Sequence, residues 1–554
     1  MRHIFILTIA LLSLILSGCN KASAPSVEAD TIYFNGVVWS SHEQDHTFDA
    51  IAFRGDRIVY VGNDPDRVVA DARVDLAGRF VMPGIIDSHT HFLEGGAGLL
   101  SVDLRDAATK EQFISRLVNA ADGSPGRWIL NGNWDHTLWG GELPHRDWLD
   151  ADTVDTPIFV MRIDGHMGFA NSHALALAGI DERTPDPIGG EIVRDASGRP
   201  TGVLKDKAVS MIVEAIPSPT EEELLDYLTA AQSHALSYGM TEVHVMPGFA
   251  DESRTLQTFQ TAHQRGLLKI RVRLYSPISQ WQQVAERVAR EGRGDALLRW
   301  EGVKLFTDGA LGSSTAWFHE PYSDDPKNTG FPIISMEELK QSLQGAHAAG
   351  LPMALHAIGD RAIDSLLDAV ETLDGWSAET ARTRIEHFQH PTQAAIDRAA
   401  RLGIILSVQP YHAVDDGRWA EDKIGASRAS TTYPFKGILA AGGLMAFGSD
   451  WPVAPLSPFL GMQAAVTRQT IDGANPEGWY PLQKVSVEQA LKAYTAVPAY
   501  AVGDESSGGA LAVGKRADVA ILDDDPRRIA PETLRDVTVW QTIINGEVVY
   551  RAAE

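Results

Sequence analysis

Cysteine occurs once in 554 residues, at Cys19, so the chain has no internal disulfide and must be held together by burial alone. Basic residues are also in short supply: 48 Lys and Arg against 73 Asp and Glu leave a net charge of −25. Phosphate backbones are bound by basic surface, so this balance argues against a nucleic-acid binder and fits a well-solvated protein, while saying nothing of the substrate, which is expected to be a small molecule. No Gly-rich loop of the phosphate-cradling kind is present, which weakens a doubly wound nucleotide-binding fold. Internal repeats and low-complexity tracts are missing too. Hydrophobic content of 44% is ordinary for a globular protein, and the length suits one large domain with accessories. A homo-oligomer is compatible with this composition.

The N-terminus stands apart. "MRHIFILTIALLSLILSGCN" has a basic start, an apolar run and small residues, and residues 1–19 read as a secretory signal. The apolar run is short for a full membrane span. Leu16-Ser17-Gly18-Cys19 resembles the bacterial lipobox, in which the cysteine is acylated and becomes the mature N-terminus. Asn20 after it implies sorting to the outer membrane. The expectation is an exported, envelope-anchored protein facing the periplasm, touching the membrane only through lipid on Cys19. Residues 20–28 read as a linker.

Beyond the linker, "TIYFNGVVWS" and "AIAFRGDRIVYVG" alternate around Gly and Asn turns and predict short antiparallel strands. "ADVAILDDDP" and "VWQTIINGEVVYR" do the same at the other end, so residues 29–82 and 501–554 predict one composite β-sandwich. Between them, residues 83–500 alternate β-rich runs with helical stretches. Eight candidate strands are "RFVMPGIID", "MTEVHVM", "KIRVRLYS", "WEGVKLFTD", "LPMALHAIG", "TRIEHF", "GIILSVQP" and "GLMAFGSD". That pattern predicts an α/β fold, a (β/α)₈ TIM-like barrel. A long insertion, about residues 100–219, follows the first strand and would lie over the active-site face.

"GIIDSHTHF" places His89 and His91 two apart at a strand end, on one face of the chain. The other strand ends carry Lys304 in "VKLFTDG", His356 in "LHAIGDRA", His387 in "RIEHF" and Asp450 in "FGSDWPV". C-terminal strand ends of a barrel converge on one mouth, so these six side chains share a centre suited to a divalent metal. Taken singly each has another reading: a satisfied core histidine, a lysine paired with a buried acid, an Asp capping the next helix.

The set resembles the amidohydrolase superfamily of metal-dependent hydrolases, through "GIIDSHTHF", "GVKLFTDGALGSSTA", "LHAIGDRAID", "RIEHFQH" and "FGSDWPV". "DGHMGFANSHAL" and "GGEIVRDASGRPTGVL" resemble the amidohydrolase family 3 branch, which includes N-substituted formamide deformylase-like enzymes. The resemblance implies a barrel with a composite sandwich. It implies one or two metals, with His89, His91 and Asp450 on the first, His356 and His387 on the second, and a carbamylated Lys304 between them. Zinc suits imidazole-rich sites, while affinity trends leave Mn, Fe and Co open. The implied activity is hydrolysis of a non-peptide C–N, amide-type bond by metal-activated water, with Asp450 as general base. His166 is the candidate oxyanion donor. Asp308, Asp360 and Arg361 read as supporting groups, and Trp134, Trp139, Phe318 and Trp451 as aromatics of a substrate pocket or of the cap. Lactone, ester or phosphoester hydrolysis on the same site, and an inactive binding lipoprotein, are the competing functions.

Overall fold

The computed structural model describes residues 26–41, 47–162, 167–187, 190–247, 252–312, 314–377 and 381–553. The expected lipobox with Cys19, and His166, lie outside the described residues.

Eight parallel strands stand side by side in sequence order: Ile85–Thr90, Met240–Val245, Arg271–Pro277, Leu298–Phe306, Met353–Ala357, Arg384–His387, Ile405–Val408 and Leu444–Phe447. Each lies within one of the eight expected runs or overlaps it. Several helices between them begin at a capping side chain. Glu221–Ser237 starts from Thr220, and Met336–Ala348 from Ser335, each in a reciprocal box with the Glu three residues on. The second ends at Gly350, whose φ of +67° suits a residue without Cβ.

Regular ladder pairing stops between the eighth strand and the first, and closure comes one step beyond it. Asp450 N donates to His89 O at 2.8 Å, and His91 N donates to Trp451 O at 2.8 Å. Gly448 makes this approach possible, because a Cβ there would lie 2.7 Å from His89 N.

The expected first strand, "RFVMPGIID", is in fact two strands. Phe80–Pro83 belongs to a sheet of the terminal regions, and Ile85–Thr90 belongs to the barrel. Pro83 and Gly84 form the crossing: Gly84 N leaves the ladder to donate to Asp518 O at 3.0 Å, and a Cβ on Gly84 would lie 2.1 Å from Thr241 Oγ1. Phe80–Pro83 pairs antiparallel with Val519–Leu522 from the C-terminal region, within a six-stranded sheet. A four-stranded sheet carries Val27–Phe34, Ala50–Arg54, Arg57–Gly62 and Val68–Asp75. Tyr33, Phe53, Val81, Val519 and Ile543 are buried together between strands of the two sheets. Two expectations change here. Val27–Phe34 begins inside the segment read as linker, and it pairs parallel with Val68–Asp75 as well as antiparallel with Ala50–Arg54.

The segment between the first two barrel strands builds a sheet of its own, six strands spanning residues 102–206, with helix Lys110–Gly123 beside it. Leu104, Phe113, Trp134, Ile158, Phe169 and Val203 are its core. Trp134 is fully buried there, donates Nε1 to Val160 O at 2.8 Å and stacks near Trp139. Phe318 is fully buried against Tyr322 and His390, and Trp451 packs on Phe92. Each of the four thus has a close ring or core neighbour.

Candidate metal centre

His89 is the penultimate residue of the first barrel strand, and His91 precedes helix Phe92–Leu99 without capping it by its side chain. Asp87 braces the turn: its Oδ1 accepts from His89 N and from Ser449 N, both at 3.0 Å, strapping the first strand to the segment that carries Asp450. Register then orders the remaining groups. Phe306 lies opposite His356, and Ala357 opposite His387, so the fourth, fifth and sixth strands end at matching heights with Lys304 just below. His387 and Asp450 have φ of +73° and +61°, a left-handed conformation that non-glycine residues rarely take outside over-determined sites. Backbone bonds sustain it, from Asp450 N to His89 O and from Phe388 N to Ala357 O.

Four of the expected ligands form a chain of rings. Centroids are 5.6 Å apart for His91 and His89, 4.9 Å for His89 and His387, and 4.5 Å for His387 and His356. His91 Nε2 is 3.2 Å and His89 Nε2 3.5 Å from Asp450 Oδ1. Two ligands each ~2.1 Å from one ion at a tetrahedral angle sit ~3.4 Å apart, so this spacing fits a shared cation. Neither approach has hydrogen-bond geometry, and Asp450 Oδ1, Lys304 Nζ and His356 Nδ1 are buried without a hydrogen-bond partner among the described residues. Buried polar atoms normally have partners, and a divalent ion would satisfy several at once. The residues present therefore fit a metal.

The protonation states suit that role. Burial pushes His89 down to about 4 and His356 to about 3, with the Lys304 cation acting in the same direction, and His387 is held well below its ordinary value, mainly by burial. These imidazoles are therefore neutral at pH 7, as ligation requires. Burial would raise Asp450, but His89, His91 and His387 outweigh it and hold the carboxylate well below its usual range. Lys304 is pushed down to about 8 by burial. Phe306, 37% exposed, presents its ring 5.2 Å from His356 and 4.9 Å from Lys304 Nζ.

The sequence profile of the Amidohydrolase family matches residues 72–550. The chain belongs to the amidohydrolase family. It is 36% identical over 544 residues to Protein LONG AFTER FAR-RED 3 of Arabidopsis thaliana, covering 95% of this chain and 92% of that one. It is 29% identical over 547 residues to the N-substituted formamide deformylase of Arthrobacter pascens, covering 94% and 98%. A solved metal-dependent hydrolase of Pyrococcus horikoshii, itself uncharacterised, shares 31% identity with a TM-score of 0.74, covering 90% of this chain and 99% of that one.

This amidohydrolase also carries site residues that the sequence reading passed over. His412, on helix Pro410–Asp416 after the seventh strand, has Nε2 buried without a partner among the described residues, 3.9 Å from Asp450 Oδ2, and its ring stacks 6.5 Å from His387. His387, His412 and Asp450 form a second candidate ligand group beside His89, His91 and Asp450. Glu386 Oε2 lies 2.6 Å from His89 Nδ1, and Gln409 Oε1 lies 2.9 Å from His387 Nδ1. Glu386 thereby leaves Nε2 of His89 toward Asp450, whereas the His387 nitrogen near Asp450 is Nδ1, 4.0 Å from Oδ2. The only sequence signal for His412 is its place just past a strand end. Asp308 holds the loops around His356, accepting from Trp317 N, Ile358 N and Gly359 N at 2.8–3.0 Å. Asp360 accepts from His319 N at 2.9 Å, and Arg361 lies over Trp317.

Proposed function

We propose that this protein is a metal-dependent hydrolase of a non-peptide C–N bond, with Asp450 as the group that moves the proton. The observation that carries the reading is the convergence of His91 Nε2 and His89 Nε2 on Asp450 Oδ1, at 3.2 and 3.5 Å, with no hydrogen bond to account for it. A divalent ion held there, Zn²⁺ in the first instance, would supply Lewis acidity toward water and a substrate carbonyl. The rest falls to the chain. Asp450, ionised and buried, accepts a proton from the attacking water and delivers it to the leaving nitrogen. His412 Nε2, free beside Asp450, is a donor for the oxygen that becomes negative as the carbonyl turns tetrahedral. His166 keeps that role only as an expectation, outside the described residues.

Lys304 suits the bridging role. Its amine is buried, without a hydrogen-bond partner among the described residues, and pushed down to about 8, so a useful fraction is neutral near pH 7. A neutral amine adds to CO₂, loses a proton and becomes an anionic carbamate with two oxygen donors. The exposed face of Phe306 favours substrates with an apolar substituent, in keeping with an N-substituted formamide deformylase among the relatives. The reading also keeps the lipid anchor at Cys19 and the composite sandwich of the two chain ends.

The test is a hydrolysis screen of the purified chain loaded with Zn²⁺, Mn²⁺ or Co²⁺ against N-substituted amides and formamides, esters, lactones and phosphotriesters. Turnover of amides above the other classes is expected. Turnover confined to lactones or phosphotriesters would overturn the bond assignment, and metal binding with no turnover of any class would favour a binding protein.

A further inference from the structure

Barrel interiors are usually filled with layers of branched apolar side chains. Here a file of charged and polar groups runs along the axis beneath the metal centre. Glu242, His244, Arg273, Arg384 and Glu386 are each at most 2% exposed. Strand alternation places them: Glu242 and His244 are two apart on the second strand and Arg384 and Glu386 two apart on the sixth, so each pair faces inward together.

The contacts are continuous. Glu386 Oε2 lies 2.6 Å from His89 Nδ1. Arg384 Nη2 donates to that same oxygen at 3.0 Å, to Ser407 Oγ at 2.8 Å, and to the carbonyl of Ser88, the residue before His89. Arg384 Nη1 lies 2.9 Å from His244 Nδ1. A guanidinium only donates, so Nδ1 is the acceptor and the imidazole proton sits on Nε2, which faces Glu242 Oε1 at 3.2 Å. Glu242 Oε2 accepts from Arg273 Nη2 at 2.6 Å, and the same Nη2 donates to Asp504 Oδ2 at 2.7 Å. Asp504, from the C-terminal region, also takes Arg516 Nη2 at 3.0 Å. Buried charges such as these are costly, and apolar residues of equal volume would often give as stable a core.

We propose that Glu242, His244 and Arg384 are positioning residues for His89: through Glu386 and the Ser88 carbonyl they fix the imidazole with Nε2 free for the ion, so that metal affinity depends on side chains deep in the barrel. The inference rests on the metal part of the reading above and extends it to groups that touch neither the proposed ion nor a substrate there. Ligand histidines held by such outer partners typically lose about 10–100-fold in metal affinity when the partner is removed.

The experiment is Zn²⁺ affinity of the full chain by chelator competition, with the melting temperature of the metal-free protein in parallel. His244→Leu removes the middle of the file. Glu242→Gln keeps size and removes charge one step further away. Arg271→Met is the control: Arg271 shares a strand with Arg273 and is 1% exposed, but it binds Asp518 and Asn545 and meets the file at the end far from His89, where Asp518 also accepts from Arg516 Nε at 3.3 Å. Affinity is expected to fall about tenfold in His244→Leu, by a few-fold in Glu242→Gln, and by less than about twofold in Arg271→Met whatever its melting temperature. If His244→Leu does not fold, Glu242→Gln decides against the same control. Zn²⁺ affinity within about twofold of wild type in the file variants would make the file a structural core and overturn the proposal. A wild-type chain that binds no Zn²⁺ would instead overturn the metal reading on which it stands.

Discussion

Asp450 is asked to be both ligand and proton carrier, and its two oxygens divide the work. Oδ1 faces His89 and His91, while Oδ2 faces His412 at 3.9 Å. Asp450→Asn keeps the shape and removes most of the basicity. The expected result is a folded protein with most of its metal, by elemental analysis, and kcat lower by about 10²–10⁴-fold on the amide found by screening. The acidic limb of the pH–rate profile should move or vanish, and near-normal kcat would take the proton-transfer role away from Asp450. Lys304→Ala should behave differently, losing metal and activity together, with formate or acetate restoring part of both by filling the space of the lost carbamate. Full metal content and unchanged turnover in Lys304→Ala would rule out the bridge. That His89, His91, Lys304, His356, His387 and Asp450 gather at one end of the barrel was legible because each sits at or near a strand end in a distinctive motif. Glu386 and Arg384 were not, although they lie inside "TRIEHF": their meaning comes from His89, 297 residues away, and from His244, 140 residues away. Asp450 was equally readable as a helix cap, but the next helix, Pro458–Thr467, is capped by Ser457.

The same division between local and distant information holds for elements. All eight barrel strands were legible from apolar runs broken by turn residues, since burial on both faces leaves little alternation to misread. The join at Pro83-Gly84 was not legible, because it depends on partners from Thr241 and Asp518. Nor was the parallel pairing of Val27–Phe34 with Val68–Asp75, which the local pattern of either strand does not encode. Closure of the barrel at the metal centre depends on one more such approach. A Cβ on Gly448 would lie 2.7 Å from His89 N and 2.8 Å from His89 Cβ, and those backbone-linked atoms cannot swing aside. Gly448→Ala should therefore part the eighth strand from the first, at a cost of about 1–3 kcal/mol. It should also weaken Zn²⁺ binding, because His89 and Asp450 are held by the same contact. Unfolding with denaturant and chelator competition read the two effects, and a variant that loses stability with unchanged metal affinity would separate closure from ligation.

On the scale of the whole molecule, the proposed lipid anchor and the buried core make separate demands. The anchor reading predicts that wild type sediments with membranes while Cys19→Ala is released into the soluble periplasm, and equal release of both would end it. The core demands that several histidines be buried uncharged in a chain without disulfides. His390 is 3% exposed, with Nδ1 2.9 Å from Thr432 Oγ1 and Nε2 unpartnered, and burial, helped by Arg428, pushes it down to about 3. His244 is pushed down to about 4, chiefly by burial. In the unfolded chain both return to about 6.5. Between the two values the unfolded state binds the extra proton, so stability is complete above about pH 6.5 and falls as pH drops toward the folded values. Within that window each such group costs up to about 1.4 kcal/mol per pH unit. His390→Leu removes one of them without touching a proposed ligand. Its stability at pH 7 should fall modestly with the lost Thr432 contact, but its decline from pH 6.5 to 4 should be shallower than wild type by about that amount per unit. Urea midpoints on metal-free protein are the measurement, since acid would also strip the metal and mask the slope. Parallel curves for the two proteins would show that His390 takes up its proton in the folded state, contrary to its burial.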